Sequence, residues 1–170
     1  MYLAETERIG LVPYTHEDDP DMYLCWKDEE TQRGFNYLFD QPLEALTKVE
    51  IGRFRFWVTV VDKGMGERVG VLRLGLDEQR PDLAIWIYPR YRRKGYGTEA
   101  FRLSLGYLFD HYPYREISAG CYCDNVGSLK MLARLGFERF LPDDVTEPDC
   151  FSGQETTQLG FVLSRAAFVR

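Results

Sequence analysis

The stretch from Arg92 to Thr98, which reads Arg-Arg-Lys-Gly-Tyr-Gly-Thr, constrains the fold of this chain more than any other segment. It follows an apolar run, residues 83–88, that is typical of a buried strand and is closed by Pro89. Apolar residues at helical spacing follow from 99 to 111. Glycines allow close approach of the backbone, and the unpaired N–H groups and dipole of a helix start favour an anion. The pattern therefore predicts a site for a phosphate or a pyrophosphate.

Two other interpretations of this turn remain open. A basic strand-to-helix turn can be a solvated connection that binds nothing. Residues 95–100 also satisfy the G-x-G-x-x-A pattern of dinucleotide-binding folds, and Asp124 follows the next predicted strand. Against a dinucleotide site, residues 89–94 separate the strand from the first glycine, and little chain remains for the further βα units of that fold.

The composition is typical of one soluble globular domain, residues 1–170. Hydrophobic residues make up 45% and charged residues 28% of the chain, and no apolar run approaches the ~20 residues of a membrane span. Residues 1–5 have neither a basic start nor an apolar core, so no secretory signal is expected. A net charge of −6 disfavours nucleic acid as a partner. We expect a cytoplasmic protein with no nucleic-acid or membrane partner, compatible with a homodimer.

The four cysteines are scattered along the chain. Cys121 and Cys123 alternate along a predicted strand, so both side chains are expected on one side of the sheet. His16 and His111 are the only histidines, and no second cysteine pair has metal-ligand spacing. The sequence therefore predicts no metal site and favours reduced thiols.

Strand and helix patterns follow one another without an internal repeat or linker. Strands are predicted at residues 9–14, 55–62, 68–76, 82–88, 117–123, 137–141 and 158–163. Helices are predicted at 18–28, 42–50, 99–111 and 126–135, with a polar loop at 142–153. Three consecutive strands, then strands alternating with helices, predict a mixed sheet with helices packed on it.

Two sequence motifs, together with this order of elements, resemble those of a known protein family. Arg92-x-x-Gly95-x-Gly97 matches the [QR]-x-x-G-x-[GA] pyrophosphate loop of the GNAT superfamily of acyl-CoA-dependent N-acyltransferases. Asn125-x-x-Ser128, followed by a Leu-Gly-Phe at 135–137, matches the family's N-x-x-[AS]…L-G-F segment. The chain resembles this superfamily over residues 5–165. Ser128, with no tyrosine before Leu-Gly-Phe, makes it look most like the branch of ribosomal-protein-alanine and related amine acetyltransferases.

The resemblance implies an α/β (α+β) fold with a mixed, mostly antiparallel sheet of six or seven strands and helices on both faces. It also implies a splayed pair of strands, containing Ile87 and Ala119, whose exposed edge can pair with the pantetheine arm of coenzyme A. A backbone N–H of Ile87 or Tyr88 would donate an oxyanion-type hydrogen bond to the thioester carbonyl. The residues implied in binding acetyl-CoA are Ile87, Tyr88, Arg92, Arg93, Lys94, Gly95, Tyr96, Gly97, Thr98, Asn125 and Ser128.

The sequence offers several candidates for the catalytic groups. The acceptor amine must lose a proton before it attacks, which requires a carboxylate or a water chain ending at one. Asp82, at the start of the predicted central strand, and Asp149, ahead of a glycine turn, occupy positions where members of the family place an acid. Many members protonate the leaving thiolate with a tyrosine seven residues after the Asn, but that position is Leu132 here. Ser128 is then the remaining polar group, unless the thiolate leaves unaided.

Ordinary structural roles compete with these assignments, because strand-end and loop acids are often solvated and a serine in a helix's first turn often satisfies the backbone. The missing tyrosine also leaves open a CoA-binding regulatory module without catalysis. Aromatic and acidic residues in the segments that shape the acceptor site predict a small or peptide-like cationic amine, unless the aromatics are core and the acids solvated. These residues are Trp26, Phe35, Tyr37, Phe39 and Phe151, with Asp28, Glu29, Glu30, Asp143, Asp144, Glu147 and Asp149.

Overall fold

A computed structural model describes all 170 residues and contains two sheets. The first has five strands that are neighbours in chain order, and each pair is antiparallel. Its strands are β1 (Ala4–Glu5), β2 (Ile9–Pro13), β3 (Trp57–Asp62), β4 (Glu67–Leu74) and β5 (Leu83–Ile87).

The second sheet is built around its longest strand, which pairs antiparallel with the three others. Its strands are β6 (Glu116–Tyr122), β7 (Glu138–Arg139), β8 (Val145–Pro148) and the central β9 (Glu155–Ser164). The long β6–β9 ladder runs from Glu116 opposite Ser164 to Tyr122 opposite Gln158.

The two sheets meet at one point and then diverge. Asp82 and Ser118 form an isolated parallel bridge, and the Ser118 N–H donates to the carbonyl of Pro81 at 2.9 Å. Beyond that bridge no ladder joins β5 to β6. The predicted splay of the strands that contain Ile87 and Ala119 is therefore confirmed.

Besides four short 3-10 helices, the chain has five α-helices: α1 (Asp19–Lys27), α2 (Glu29–Phe35), α3 (Leu43–Thr47), α4 (Tyr96–His111) and α5 (Val126–Leu135). The apolar stripe of α4, which includes the buried Phe101, Leu105 and Leu108, packs against the five-stranded sheet. Four successive residues of β4, Val69 to Leu72, are buried, so both faces of that sheet are covered. The predicted class, a mostly antiparallel α/β fold, is confirmed.

The structure corrects several details of the sequence prediction. Nine strands in two sheets replace one sheet of six or seven, because the short β1 and β8 were not predicted. The segment 142–153, predicted as a loop, contains β8, whose four residues carry no apolar alternation and are held by pairing with β9. The helix α2 was missed as well. Its apolar residues are few, and it begins because the side chain of Asp28 accepts the N–H of Thr31.

The two cysteines that were expected on one side of a strand do not share an environment. Cys121 is buried in β6, whereas Cys123 lies beyond the end of that strand and is exposed. Burial raises the pKa of Cys121 to about 11, so that thiol is a poor nucleophile at neutral pH.

Candidate active site: a groove between the two sheets

The divergence of β5 and β6 opens a groove of about 850 Å³ that is lined by residues of both predicted motifs. Its walls come from β5, β6, the turn before α4, and one face each of α2 and α5. Both faces of the five-stranded sheet contribute residues to the groove. Ile87 faces α4, because a Cβ on Gly97 would lie 3.7 Å from its Cγ1. Trp86, the neighbour on the opposite face, stacks on Phe35 of α2 with ring centroids 4.8 Å apart.

The turn that precedes α4 carries the predicted anion site. Gly95 takes the left-handed conformation, with φ +85°, and Arg93 does so at φ +58°. The backbone N–H groups from Arg93 to Thr98 donate to no acceptor in the protein. Arg8 braces the turn from outside, donating to the carbonyl of Lys94 at 3.0 Å and stacking over the ring of Tyr96. A row of free donors at a helix start is an arrangement that binds phosphate groups.

The three basic residues of the motif have different environments. The Arg92 guanidinium is mostly buried and donates to Asp28 at 2.7 Å, to Thr31 and to the carbonyl of Ile87. Although partial burial opposes ionisation, the hydrogen bonds from Arg92 and Thr31 hold the pKa of Asp28 below its usual range. Arg92 thus joins the α1–α2 corner to the end of β5. The Arg93 side chain is exposed, with its only carboxylate partner, Glu30, at 3.3 Å, and Lys94 has no carboxylate within 4.0 Å.

The free edge of β5 offers backbone groups to the groove. Tyr88 donates its N–H to Val69, and the carbonyl of Asp82 accepts from Gly75, so every second residue of this segment bonds to β4. The intervening Ile85 and Ile87 therefore direct their N–H groups toward the groove. Of the two residues predicted to reach the thioester carbonyl, Ile87 has a free N–H and Tyr88 does not.

The start of α5 forms the opposite wall. Asn125 caps the helix, because its side-chain oxygen accepts the N–H of Ser128 at 3.1 Å. Its amide nitrogen points toward Gly34, where an added Cβ would lie 3.6 Å away. Ser128 and Leu132 both line the groove, one turn apart. Ser128 is consequently the only hydroxyl that this face of α5 presents there.

The structure separates the two predicted carboxylates. Asp82 lines the groove beside the bridge that joins the sheets, with its carboxylate against the backbone of Gly75. Asp149 does not line the groove. Its carboxylate accepts hydrogen bonds from the hydroxyl and N–H of Ser152 and from the N–H of Phe151, which closes the turn between β8 and β9. These bonds, the Ser152 hydroxyl first, lower the pKa of Asp149 and make it a weaker base.

On the α1–α2 side the groove has aromatic walls that we call the aromatic pocket: Trp26, Phe35, Trp86 and the cationic Arg73. The sequence prediction named Trp26 and Phe35 but missed Trp86 and Arg73. The sequence did contain a signal for Arg73, because it interrupts the apolar run Val71-Leu72-Arg73-Leu74. A charged residue is rarely found on a buried strand unless it has a partner or a function.

A third missed residue, Asn36, connects this pocket to the second sheet. It ends α2 in the left-handed conformation, with φ +48°. Its side chain donates to the carbonyl of Pro148 and accepts the N–H of Cys150. This pair of bonds fixes the β8–β9 hairpin beside the aromatic pocket.

Comparison with known proteins identifies the family. A family model described as an acetyltransferase (GNAT) domain matches residues 8–138. The chain belongs to the GNAT acetyltransferase family. It is 22% identical over 153 residues to YoaA of Bacillus subtilis, named as an uncharacterized N-acetyltransferase, and the match covers 81% of this chain and 83% of that protein.

Solved structures of GNAT acetyltransferases share the fold. Spermidine N-acetyltransferase from Vibrio cholerae, in complex with CoA and spermine, superposes with a TM-score of 0.84 at 12% identity, covering 97% of this chain and 100% of that one. Ribosomal-protein-S5-alanine acetyltransferase from Vibrio fischeri superposes with a TM-score of 0.72 at 15% identity, covering 98% of both chains.

As a member of this family the protein is an acyltransferase, and its cosubstrate is acetyl-CoA. The groove fits that molecule: free N–H groups suit its pyrophosphate, and the open edge of β5 suits the amides of its pantetheine arm. No three His, Cys, Asp or Glu residues are arranged to hold a metal ion. None of the helices is both long and apolar enough to cross a membrane.

Proposed function

We propose that this GNAT acetyltransferase moves an acetyl group from acetyl-CoA to the primary amine of a small or peptide-like acceptor, in the cytoplasm. The observation that carries the proposal is that one groove connects the anion-binding turn to a separate pocket. The turn lies on the α4 side of β5, and the aromatic pocket lies on the α2 side. Two ligands can therefore approach, from opposite directions, the point where β5 and β6 diverge.

On the cosubstrate side, the N–H groups from Arg93 to Thr98 hold the pyrophosphate, with Gly95 providing the left-handed turn and Gly97 the room. Lys94, which has no carboxylate partner, and the exposed Arg93, whose one partner is Glu30, are the cations for the 3′-phosphate. Arg92 supports the site from behind, since its guanidinium is already committed to Asp28 and Thr31. The Asn125 amide contacts the arm.

Acetyl-CoA supplies an activated thioester: the amine nitrogen bonds to the acetyl carbon while the carbon–sulfur bond breaks. The Ile87 N–H is directed into the groove and stabilises negative charge on the carbonyl oxygen. Asp82 accepts the amine proton, directly or through a water molecule, because it is the predicted carboxylate that lines the groove. Ser128 is the hydroxyl that α5 offers to return a proton to the thiolate of coenzyme A.

The acidic residues near the groove bear on the choice of acceptor. A cationic amine was expected from the acidic segments, and the spermine complex of the Vibrio cholerae enzyme is consistent with that class. Most of those acids are, however, already occupied. Asp28 pairs with Arg92, Asp143 with Arg80 at 2.8 Å, and Asp144 with Arg139 at 2.8 Å. Their field is thereby reduced, and the likeness to the ribosomal-protein-alanine branch, at 15% identity, supports the fold alone.

A CoA-binding module without catalysis is the second candidate, favoured by Leu132 at the position where many relatives place a tyrosine. Thiol release from acetyl-CoA, measured over peptide N-termini, polyamines, aminoglycosides and amino acids, separates the two. Acetylated product from any class supports the enzyme. Tight CoA binding with no product from any amine would establish the module instead.

The base is tested by Asp82→Asn, which removes the proton acceptor and leaves the shape of the side chain. We expect kcat on the best amine to fall by about 10²- to 10⁴-fold, the usual contribution of a general base. Asp149→Asn is the matched control and should keep kcat within a few fold, because that carboxylate closes a turn outside the groove. The reverse result would transfer the role to Asp149.

A further inference from the structure

Arg73 is a charged side chain within the groove that the proposed chemistry does not use. It lies in β4 opposite Ala84 of β5, and it lines the groove on the side of the aromatic pocket. Its guanidinium carbon is 4.7 Å from the ring centroid of Phe54, 5.3 Å from Trp57 and 5.5 Å from Trp86. Aromatic rings therefore hold the cation in place on several sides.

This guanidinium has no partner of opposite charge. No carboxylate oxygen lies within 4.0 Å of it, and it donates no hydrogen bond. The other arginines that reach the groove near α2 are paired: Arg92 with Asp28, Arg93 with Glu30, and Arg33 with Glu29. Burial lowers the pKa of Arg73, and the charge of Asp82 only partly compensates. A partly buried cation with free donors is costly unless a ligand satisfies it.

The surroundings of Arg73 add donors rather than acceptors. The indole N–H groups of Trp57 and Trp86, the two tryptophans that flank it, have no hydrogen-bond acceptor in the protein. The nearby carboxylate of Asp82 lies beyond ion-pair distance, so the groove presents separated charges of opposite sign. Such an arrangement fits a ligand that carries both an amine and an anionic group.

We propose that Arg73 binds a carboxylate of the acceptor, so that the substrate is an amino acid or another amino-carboxylate. Arginine suits this group because its planar fork donates two parallel hydrogen bonds to a carboxylate. The small side chain of Ala84 directly opposite leaves room for it. The amine of the same molecule then lies toward Asp82, and the rings of Trp26 and Phe35 accept an apolar or aromatic side chain. This inference rests on the proposed acetyl transfer and specifies its substrate class.

Matched acceptors test the proposal: L-phenylalanine, L-phenylalaninamide and 2-phenylethylamine share a ring and an amine but only the first has a carboxylate. We expect kcat/KM for the amino acid to exceed that for the amide and the amine by roughly ten- to a hundredfold, as for charged hydrogen bonds. The same series with L-methionine, its amide and 3-(methylthio)propylamine covers an aliphatic side chain. Arg73→Gln should abolish the preference, and Arg73→Lys should restore part of it.

A binding measurement keeps the test independent of turnover. Trp57 and Trp86 adjoin Arg73, so intrinsic fluorescence should respond when N-acetyl-L-phenylalanine, which keeps its carboxylate, binds the CoA complex. N-acetyl-L-phenylalaninamide should bind at least tenfold more weakly, and Arg73→Gln should remove the difference while its affinity for acetyl-CoA stays that of the wild type.

Equal use and equal binding of acids and amides by the wild-type protein would overturn the proposal. So would an acid preference that survives in Arg73→Gln. If carboxylate binding is found without any acetylated product, Arg73 keeps its assignment and acetyl transfer is the part that fails.

Discussion

At the scale of single residues, the two glycines of the phosphate turn have different reasons to be glycine. Gly95 has φ +85°, a conformation that costs other residues about 1–2 kcal/mol. Gly97 lies in the first turn of α4 with ordinary backbone angles, and a Cβ there would meet Met131 at 3.6 Å, an ordinary contact. The fold requires the first glycine, whereas the second leaves space that we propose the phosphate of acetyl-CoA occupies.

Substitution separates these two requirements. Gly97→Val should lower the affinity for acetyl-CoA at least tenfold, because its branched side chain occupies the space of the phosphate, while the Tm of the free protein changes little. Gly95→Ala, which adds only a Cβ, should lower the Tm of the free protein through backbone strain. Calorimetric titration and thermal melts measure both. A Gly97→Val variant that binds acetyl-CoA like the wild type would contradict the placement of the pyrophosphate.

Among the secondary structure elements, the two arginines of the basic motif differ in their contacts: Arg92 joins two elements, and Arg93 faces the solvent. Arg92 is 14% exposed and connects the end of β5 to the start of α2, whereas Arg93 is 79% exposed and points outward. The aromatic pocket depends on the first contact, because α2 carries Phe35 against Trp86. The two neighbouring arginines should therefore fail in different ways when they are neutralised.

Arg92→Gln should lower the free energy of unfolding by about 1–3 kcal/mol, since it leaves Asp28 partly buried without its cation. Arg93→Gln should change stability by no more than ~0.5 kcal/mol, as is usual for surface sites, yet weaken acetyl-CoA binding. The weakening should shrink at high salt, where an exposed charge is screened. Urea titrations and calorimetry at two ionic strengths provide the comparison. Equal stability losses in both variants would show that Arg92 is not the connection described.

The elements that the sequence predicted well are those whose signal is local. The helix from Val126 to Leu135 was predicted with its observed bounds, because Asn125 marks its start and Gly136 its end. The strand β5 was found from its apolar run. By contrast, β8 exists because β9 pairs with it, and α2 because Asp28 caps it, and neither cause is visible as periodicity.

The same distinction applies to the site. The backbone groups of the turn could be predicted, because glycine spacing and a helix start are local properties. The environments of Arg92, Asp149 and Arg73 could not, since each is decided by residues distant in sequence or by turn geometry. Motif matching assigned Arg92 to the ligand, whereas the structure places its guanidinium on Asp28.

At the scale of the whole molecule, the groove exists because the two sheets are joined only at Asp82 and Ser118. Beyond that bridge, β5 has backbone groups without partners, and the walls on its two sides come from different parts of the chain. A ligand that pairs with β5 and rests on the turn before α4 therefore connects both halves of the domain. Its binding should stabilise the fold as a whole rather than one loop.

Acetyl-CoA at a hundred times its dissociation constant should add about 2.7 kcal/mol to the free energy of unfolding, because it binds only the folded protein. For a domain of this size that corresponds to a rise in Tm of roughly 5–10 °C. NAD and NADP at the same concentration should leave Tm unchanged, and Gly97→Val, with an affinity at least tenfold lower, should lose about half of the acetyl-CoA effect or more. Thermal melts of the two proteins with each ligand make the measurement. Both kinds of ligand bring a pyrophosphate to the same N–H groups, and they differ in the part of the molecule that lies along β5. Stabilisation by a dinucleotide but not by acetyl-CoA would therefore show that the G-x-G-x-x-A pattern is a dinucleotide-binding site.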